Sequence, residues 1–347
     1  MGVNIYRSNR EDSLSLAELD LYSQLMAYRR QNGLADIPLS SSLTTTGGRH
    51  VVDTYYNIWA ADVTLPDGAN LHSWSDAPYF DDHRQPEVMW FAPQRIGTPY
   101  PSAGYEITAA GYPDVTEALR GWQESSGHND VILNQALWSD LNWRAIGIGV
   151  LNGSKSVGGG FLGNIYHVWF GEEVDPAGPP RIIGTNGPDR IRGTRFDDHI
   201  NGRGGDDIIR GGAGNDRLIG GGGNDLLIGG LGNDILSGGP GADRFRFDTV
   251  PNSNTNIDRI TDFKPAQGDR IELARSIYKR LPAGRTLSAS AFSVGSSFTT
   301  RAQRILYEPE LGSLTYDSNG SAAGGTTAMF AILSNRPTIT HREFTLI

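Results

Sequence analysis

The sequence predicts a multidomain protein: an α+β layered domain first, then an all-β coil of short parallel strands, then a small β cap. Three observations predict it. Residues 184–246 read as seven consecutive nine-residue units without slippage: GTNGPDRIR, GTRFDDHIN, GRGGDDIIR, GGAGNDRLI, GGGGNDLLI, GGLGNDILS and GGPGADRFR. Ahead of them, helix-like segments come first and strand-like segments last, the order of an α+β layer. Behind them come further short strand-like segments and an apolar-rich tail, HREFTLI. The expected divisions are 1–174 for the first domain, 175–183 for a linker around Pro176 and Pro179-Pro180, 184–246 for the coil and 247–347 for the cap.

In the first domain, Ser15 and Glu18 form a capping box ahead of a helix over residues 13–32. Leu19, Tyr22, Leu25, Met26 and Arg29 give it a mostly apolar face, and Gly33 stands where a C-terminal cap belongs. A second helix is expected over residues 43–60, weakened at its start by Gly47-Gly48. Residues 61–104, rich in Asp, Pro, Gly and aromatics, read as long loops. Asp114 and Glu117 open another helix leading into ALRGWQESSGH, and RAIGIGVL and NIYHVWFG read as strands.

In the coil, an aspartate holds the sixth place of every unit: Asp189, Asp198, Asp207, Asp216, Asp225, Asp234 and Asp243. A large apolar residue holds the eighth: Ile191, Ile200, Ile209, Leu218, Leu227, Leu236 and Phe245. One apolar residue in nine fits neither a helix face of period 3.6 nor a strand of period 2. It fits a stack of very short strands, each placing one side chain inward, with glycines supplying the positive φ of the turns between them. If two units make one full coil, alternate units stack at roughly 4.8 Å. Asp189, Asp207, Asp225 and Asp243 then line one edge, and Asp198, Asp216 and Asp234 the other. Carboxylates so close repel unless a cation lies between them. Calcium suits the place, because it takes oxygens from carboxylates and from the carbonyls of open glycine turns. Gly202, Gly204, Gly211, Gly220 and Gly229 are the glycines expected to shape and supply those turns. A flexible Gly/Asp linker is the plainer alternative, and strict register argues against it. Pro188 and Phe196 break the pattern of the first two units, so the best sites are expected between Gly202 and Asp243.

These units resemble the calcium-binding nonapeptide repeat of RTX proteins, which form a parallel β-roll. The resemblance implies structural calcium, and export from a Gram-negative bacterium by type I secretion machinery through an uncleaved C-terminal signal. Asp258, Asp262 and the GDRIEL segment suggest a closing strand pair, RILYEPELGSLTYD a hairpin and TAMFAIL a further strand. This cap resembles the end piece and secretion region of such proteins; a plain β cap without an export role is the alternative.

The totals agree. Of 347 residues 45 are glycine, the net charge is −9 and there is no cysteine. Acidity argues against a nucleic-acid partner, and the lack of thiols excludes disulfides, a cysteine nucleophile and thiolate metal sites. The N-terminus has no apolar core of signal-peptide length, and no stretch reaches the length of a membrane span. Calcium sites of the extracellular kind, with dissociation constants of roughly 10⁻⁴–10⁻³ M, stay empty in a cytosol and fill outside. Folding coupled to binding then gives a chain folded only after export. The expected location is extracellular, reached without an N-terminal signal peptide.

A second resemblance covers residues 15–172: LMAYRRQNGL, a helix carrying His50, then LHSWSD, GYEI, WQESSGH, IGIG and YHVWFG, in that order. The set is similar to a bacterial CAP domain, of the superfamily of cysteine-rich secretory, antigen 5 and pathogenesis-related proteins. The resemblance implies an α-β-α sandwich with a cleft of two histidines and two glutamates able to hold zinc or another divalent ion. Carried over, His72 and His128 match the histidines. Glu106 matches the first glutamate, although a Tyr precedes it and no Asn follows. Glu124 lies one residue from the place of the second. Imidazole and carboxylate suit zinc, and Glu124 and His128 share a face if one helix runs through both. A hydrogen-bonded structural cluster is the alternative. His50 has no assigned role beyond structure or cleft lining. His83, beside Asp81 and Asp82, is a metal candidate but more simply a loop residue. His167 reads as structural, and His199 and His341 have no constellation.

No H-E-x-x-H or G-x-S-x-G motif is present. Three functions remain open for the CAP-like domain: a binding module for an extracellular lipid, glycan or protein; a divalent-metal-dependent hydrolase, peptidase-like, with His72 and His128 as ligands and Glu106 or His128 as catalytic residues; or a structural exoprotein of a surface layer or matrix. Fold alone does not choose among them.

Overall fold

The computed structural model describes residues 3–8, 12–80, 82–152, 163–322 and 324–347. The chain forms two compact units, Met1–Ile182 and Ile183–Ile347. Among the described residues no helix is long and apolar enough to cross a membrane.

The first unit is built on helices α1 (Leu16–Gln31), α2 (Ser41–Val52), α3 (Glu87–Trp90), α4 (Ala92–Arg95), α5 (Val115–Glu124) and α6 (Ser126–Ile132), with strands β1 (Tyr105–Tyr112), β2 (Ala145–Leu151) and β3 (Asn164–Gly171). The capping box of Ser15 and Glu18 opens α1, and Asp114 caps α5. Helix α2 continues as a wider π-helical segment, Asp53–Trp59. The strands pair antiparallel in the order β1-β3-β2. Residues alternate across a strand, and the two faces of this sheet are covered differently. Toward α2, β2 presents Gly147 and Gly149, where a Cβ would overlap the backbone of Leu43 and of Gly47. Toward the other face, Trp122 of α5 packs edge-on to Tyr166 and donates to the Thr108 carbonyl at 2.8 Å. Glu18 of α1 accepts the Val150 N–H at 2.9 Å. Gly47, unfavourable for a helix by propensity, is therefore what lets α2 lie backbone-to-backbone on β2, its Cβ position being 2.9 Å from the Gly149 nitrogen; tertiary packing outweighs propensity here.

In the second unit the chain enters through β4 (Arg181–Ile183). The coil follows with β5 (Arg190–Arg192), β6 (His199–Gly204), β7 (Ile208–Ala213), β8 (Arg217–Gly222), β9 (Leu226–Leu231), β10 (Ile235–Ser237) and β11 (Arg244–Phe247). Parallel pairing joins alternate units in register. The coil does not stop with the repeats. Strands β12 (Asp258–Ile260) and β13 (Arg270–Leu273) continue the two sheets. The end of the chain adds β14 (Phe292–Val294), β15 (Ile305–Glu308), β16 (Ser313–Asp317), β17 (Thr327–Leu333) and β18 (Phe344–Leu346). Of these, β17 and β18 add a parallel rung to each sheet, β15, β16 and β17 pair antiparallel, and β14 pairs parallel with β15 at the sheet's edge. The core is two columns of stacked side chains, Ile191-Ile209-Leu227-Phe245-Ile271-Phe344 and Ile200-Leu218-Leu236-Ile260-Leu333. All are buried. Each contributes about 1.5–3 kcal/mol on burial.

The glycine contact in the first unit gives a direct test. Gly149→Ala places a methyl inside the α2 backbone and is expected to cost about 3 kcal/mol or more in urea unfolding followed by tryptophan fluorescence. Gly127→Ala, in α6 with nothing within 4 Å of its Cβ position, is expected to be neutral or to stabilise by up to about 1 kcal/mol. Equal effects of the two would contradict the packing described.

Candidate metal centres

The coil brings its aspartates together as two columns. In each, the Oδ1 atom of one aspartate accepts the backbone N–H of the aspartate two units earlier: Asp207 from Asp189 (2.8 Å), Asp225 from Asp207 (2.8 Å), Asp243 from Asp225 (3.0 Å), Asp216 from Asp198 (2.9 Å) and Asp234 from Asp216 (2.8 Å). These bonds fix one oxygen and aim the other into the turn of its own unit. There the Oδ2 atoms of Asp207, Asp216, Asp225, Asp234 and Asp243 are buried and meet no hydrogen-bond partner. Each lies where a Cβ would stand on the first glycine of its unit: Gly202, Gly211, Gly220, Gly229 and Gly238. None of those glycines has a positive φ; that property belongs to the second and fourth places, such as Gly212 and Gly214. The first-place glycines make room for a carboxylate rather than bend the chain, which corrects the expectation that φ explains them. Gly204 has neither requirement: its φ is ordinary and a Cβ there would be 3.7 Å from the Gly222 carbonyl oxygen.

Without a cation such carboxylates lie above the usual carboxylate range. Burial pushes Asp216 up to about 8, with like charge from Asp198 and Asp234 added. It pushes Asp243 to about 7, and Asp198, Asp225 and Asp234 to about 6. The donor set is carboxylate oxygen beside backbone carbonyls in glycine turns, which suits calcium, and the five partnerless oxygens fit it.

Two members of the columns escaped the nine-residue period. Asp258 accepts the Asp234 N–H at 3.2 Å and Asp269 accepts the Asp243 N–H at 3.0 Å, at separations of 24 and 26 residues instead of 18. The triplets Asp258-Arg259-Ile260 and Asp269-Arg270-Ile271 repeat the aspartate–apolar spacing of the units and were the available signal. The second oxygen of Asp269 accepts the Lys264 N–H at 2.7 Å.

In the first unit a different cluster forms on the α2 side of the sheet. Glu106 of β1 is enclosed by three imidazoles. Its Oε1 lies 2.7 Å from His50 Nδ1 and 2.6 Å from His167 Nδ1, and its Oε2 lies 2.8 Å from His72 Nδ1. His50 stacks flat on Trp74 with ring centroids 4.2 Å apart, and its Nε2 lies 3.0 Å from the Ser73 carbonyl. A carbonyl oxygen only accepts, so Nε2 donates; with Nδ1 facing a carboxylate, His50 carries both protons. Burial acts to raise Glu106, but His50 and His167 outweigh it and hold Glu106 well below the usual carboxylate range. Burial, then the neighbouring His50, lowers His167 to about 4 against the pull of Glu106, so this ring is neutral and donates from Nδ1. Its Nε2 is buried without a partner.

Sequence reasoning placed only part of this cluster. His72 and Glu106 come together as expected. His50 and His167, read as structural or unassigned, are the other partners, and only the fold could bring α2, β1 and β3 side chains to one point. Glu124 does not join: its side chain is 71% exposed and faces Arg120 at 3.9 Å. The helix breaks at Ser125, between α5 and α6, so Glu124 and His128 do not share a face. His128 bonds Ser125 Oγ at 2.7 Å, and burial followed by the charge of His72 lowers it. Among the described residues the group with metal-ligand spacing is His50, Glu106 and His167, and not the four residues implied by the CAP resemblance. Zinc fits that trio poorly. Coordination through His167 Nδ1 would leave a buried Nε2–H with no acceptor, whereas the hydrogen-bonded arrangement leaves only a lone pair. Glu106, with both oxygens engaged and no solvent access, does not have the geometry of a general base. His83 Nδ1 lies 2.6 Å from the Tyr79 hydroxyl; Asp81, its expected neighbour, lies outside the described residues. His199 is exposed, and His341 stands in a short turn, Thr340 capping it.

A coil of alternating glycine turns with inward carboxylates in register has the form of a calcium-binding parallel β-roll. The profile of the RTX calcium-binding nonapeptide repeat matches residues 183–218 and 210–245, and the chain carries these repeats. No curated protein matches the chain. Among solved structures it is weakly similar to an outer surface protein from Borrelia burgdorferi, at 16% identity over 50% of this chain and 99% of that one, with a TM-score of 0.31. It is similar to the AlgE6R3 subunit of the mannuronan C5-epimerase from Azotobacter vinelandii, at 28% identity over 46% and 79%, TM-score 0.26. It is also similar to a cysteine-rich secretory protein from Staphylococcus aureus, at 15% identity over 45% and 38%, TM-score 0.28.

The imidazole–carboxylate cluster fixes the acid response of the first unit. His167 is lowered on folding and Glu106 is lowered, so both contribute stability at neutral pH that is lost as pH falls. For His167 the loss runs from 6.5 toward about 4 and amounts to about 3 kcal/mol. The unit's thermal midpoint, read by tryptophan fluorescence, is expected to drop between pH 7 and pH 4.5. Glu106→Gln, which strands the His50 charge, is expected to cost about 3–5 kcal/mol at pH 7. A variant as stable as the parent chain would show that the cluster is not charged as described.

Proposed function

We propose that this chain is an extracellular calcium-binding protein in which the β-roll takes up structural calcium after export and the first unit, CAP-like, binds an extracellular ligand. The five buried Oδ2 atoms without partners, one in each unit from Gly202 onward, carry the calcium part. Type I secretion machinery is the export route that such repeats imply. The proposed divisions remain 1–174, 175–183, 184–246 and 247–347, with β12, β13, β17 and β18 extending the roll into the last of them.

The CAP-like reading of the first unit is supported by the order of its motifs and by a three-stranded sheet with α2 on one face and α1 and α5 on the other. The Glu106 cluster serves as its internal pin in this reading. Beside it lies a largely apolar cavity of about 430 Å³ lined by Thr54, Ile58, Trp59, Leu65, Leu71 and Ala110. A cavity of that size and lining suits a small apolar ligand or a lipid chain, and of the expected ligands (lipid, glycan or protein) we favour the lipid.

Two experiments test the two parts. Calcium titration of the full chain followed by far-UV circular dichroism is expected to show Asp225→Ala with a midpoint at least about tenfold higher than the parent, a loss of about 1.4 kcal/mol or more. Asp189→Ala should remain within about twofold; equal midpoints would sink this assignment of sites. For the first unit, Trp59 emission in millimolar calcium is expected to change saturably on titration with a long-chain fatty acid, and Ala110→Trp to abolish the change. No saturable change with fatty acid or phospholipid vesicles would overturn the lipid reading.

A further inference from the structure

We infer that the residue in the second place of each nine-residue unit decides whether its turn accepts a cation, and that Thr185 and Thr194 close the first two turns with their own donors. This rests on the calcium reading above. Thr194 donates its backbone N–H to Asp198 Oδ2 at 2.6 Å, and its hydroxyl lies 3.0 Å from the same oxygen. The hydroxyl oxygen accepts the Phe196 N–H at 3.0 Å and stands 3.4 Å from the Phe196 carbonyl oxygen. Thr185 repeats the arrangement: its N–H and hydroxyl reach Asp189 Oδ2 at 2.7 and 3.1 Å, and the hydroxyl stands 3.1 and 3.2 Å from the N and O of Gly187. Each hydroxyl thus sits among a carboxylate oxygen and a backbone carbonyl, the oxygen donors that a calcium ion would gather.

The other five turns have another form. Their second-place residues are left-handed: Arg203 (φ 76°), Gly212 (126°), Gly221 (115°), Gly230 (114°) and Gly239 (98°). Three of these N–H groups point away from the aspartate: Arg203 to Asn201 Oδ1, Gly221 to the Gly238 carbonyl and Gly239 to Asp262 Oδ2. The aspartate oxygen is then left without a partner in all five. A missing glycine does not explain the division. Unit one keeps Gly187 in its fourth place and is closed, while unit three has Arg203 in its second place and is open. What the two closed turns share is threonine. Arg203 holds a conformation that costs a non-glycine residue energy, so the open form is maintained there against local preference.

The test counts calcium ions bound per full-length chain by native mass spectrometry. Thr194→Gly is expected to bind one ion more than the parent, and Arg203→Thr one fewer. Arg203 already carries a Cβ, so the second variant introduces no new branch at a glycine. Unchanged counts in both variants would overturn the inference while leaving the calcium reading intact. A parent chain that binds no calcium would overturn the calcium reading, and this inference with it. The parent count is expected to equal the five open turns.

Discussion

Stacked carboxylates with one oxygen tied and the other buried set the terms for the whole second unit. Tying Oδ1 to the N–H two units away aligns the columns, and alignment at the spacing of paired strands, about 4.8 Å, puts like charges beside one another. An uncompensated buried charge costs several kcal/mol. Five of them together would exceed the 5–15 kcal/mol by which domains are ordinarily stable. The roll therefore needs either protons or cations in its turns. Without a cation, the raised carboxyls make stability fall as pH rises from about 4 to about 8. Calcium reverses that by supplying the charge itself.

The first unit meets the same difficulty with groups of its own. Glu106 is as buried as the ladder aspartates, yet its pKa moves the opposite way, because the His50 and His167 rings lie against it. Its stability is lost on acidification rather than on a rise in pH. The two units therefore answer pH in opposite senses for one reason: the compensating cation is part of the chain in one and external in the other.

The sequence made the roll legible because its period is strict and each place has one physical task. Asp at six, apolar at eight and glycine at the turns could be read from the residues alone. What escaped it depended on atoms meeting across the fold. The glycine at place one answers to the carboxylate of Asp207 or Asp216 rather than to φ. Asp258 and Asp269 fell outside because their loops lengthened the period to 24 and 26 residues. In the first unit, local signals such as the Ser15 capping box were sound. The cluster was only half visible, since His50, His72, Glu106 and His167 come from a helix, a loop and two strands. Glu124 misled because helix continuity through Ser125 was needed to aim it at His128, and the backbone breaks there.

The distribution of closed and open turns has a consequence for how the roll is bounded. At its first end, Asp189 and Asp198 are satisfied by Thr185 and Thr194. Past the repeats, Asp269 is satisfied by the Lys264 N–H, and Asp262 takes the N–H groups of Gly238 and Gly239. Repeat coils need ends that do not call for another repeat, and in this chain Asp189 and Asp198 at the first end and Asp269 near the other have their second oxygens hydrogen-bonded within the chain. The buried Oδ2 atoms without partners are confined to Asp207, Asp216, Asp225, Asp234 and Asp243, while Asp258 beyond them is a buried carboxyl raised by burial and by the neighbouring Asp234. Loss of calcium then acts on the middle of the stack, where each rung depends on the one two units away, while the terminal rungs keep the hydrogen bonds from which the coil can close again.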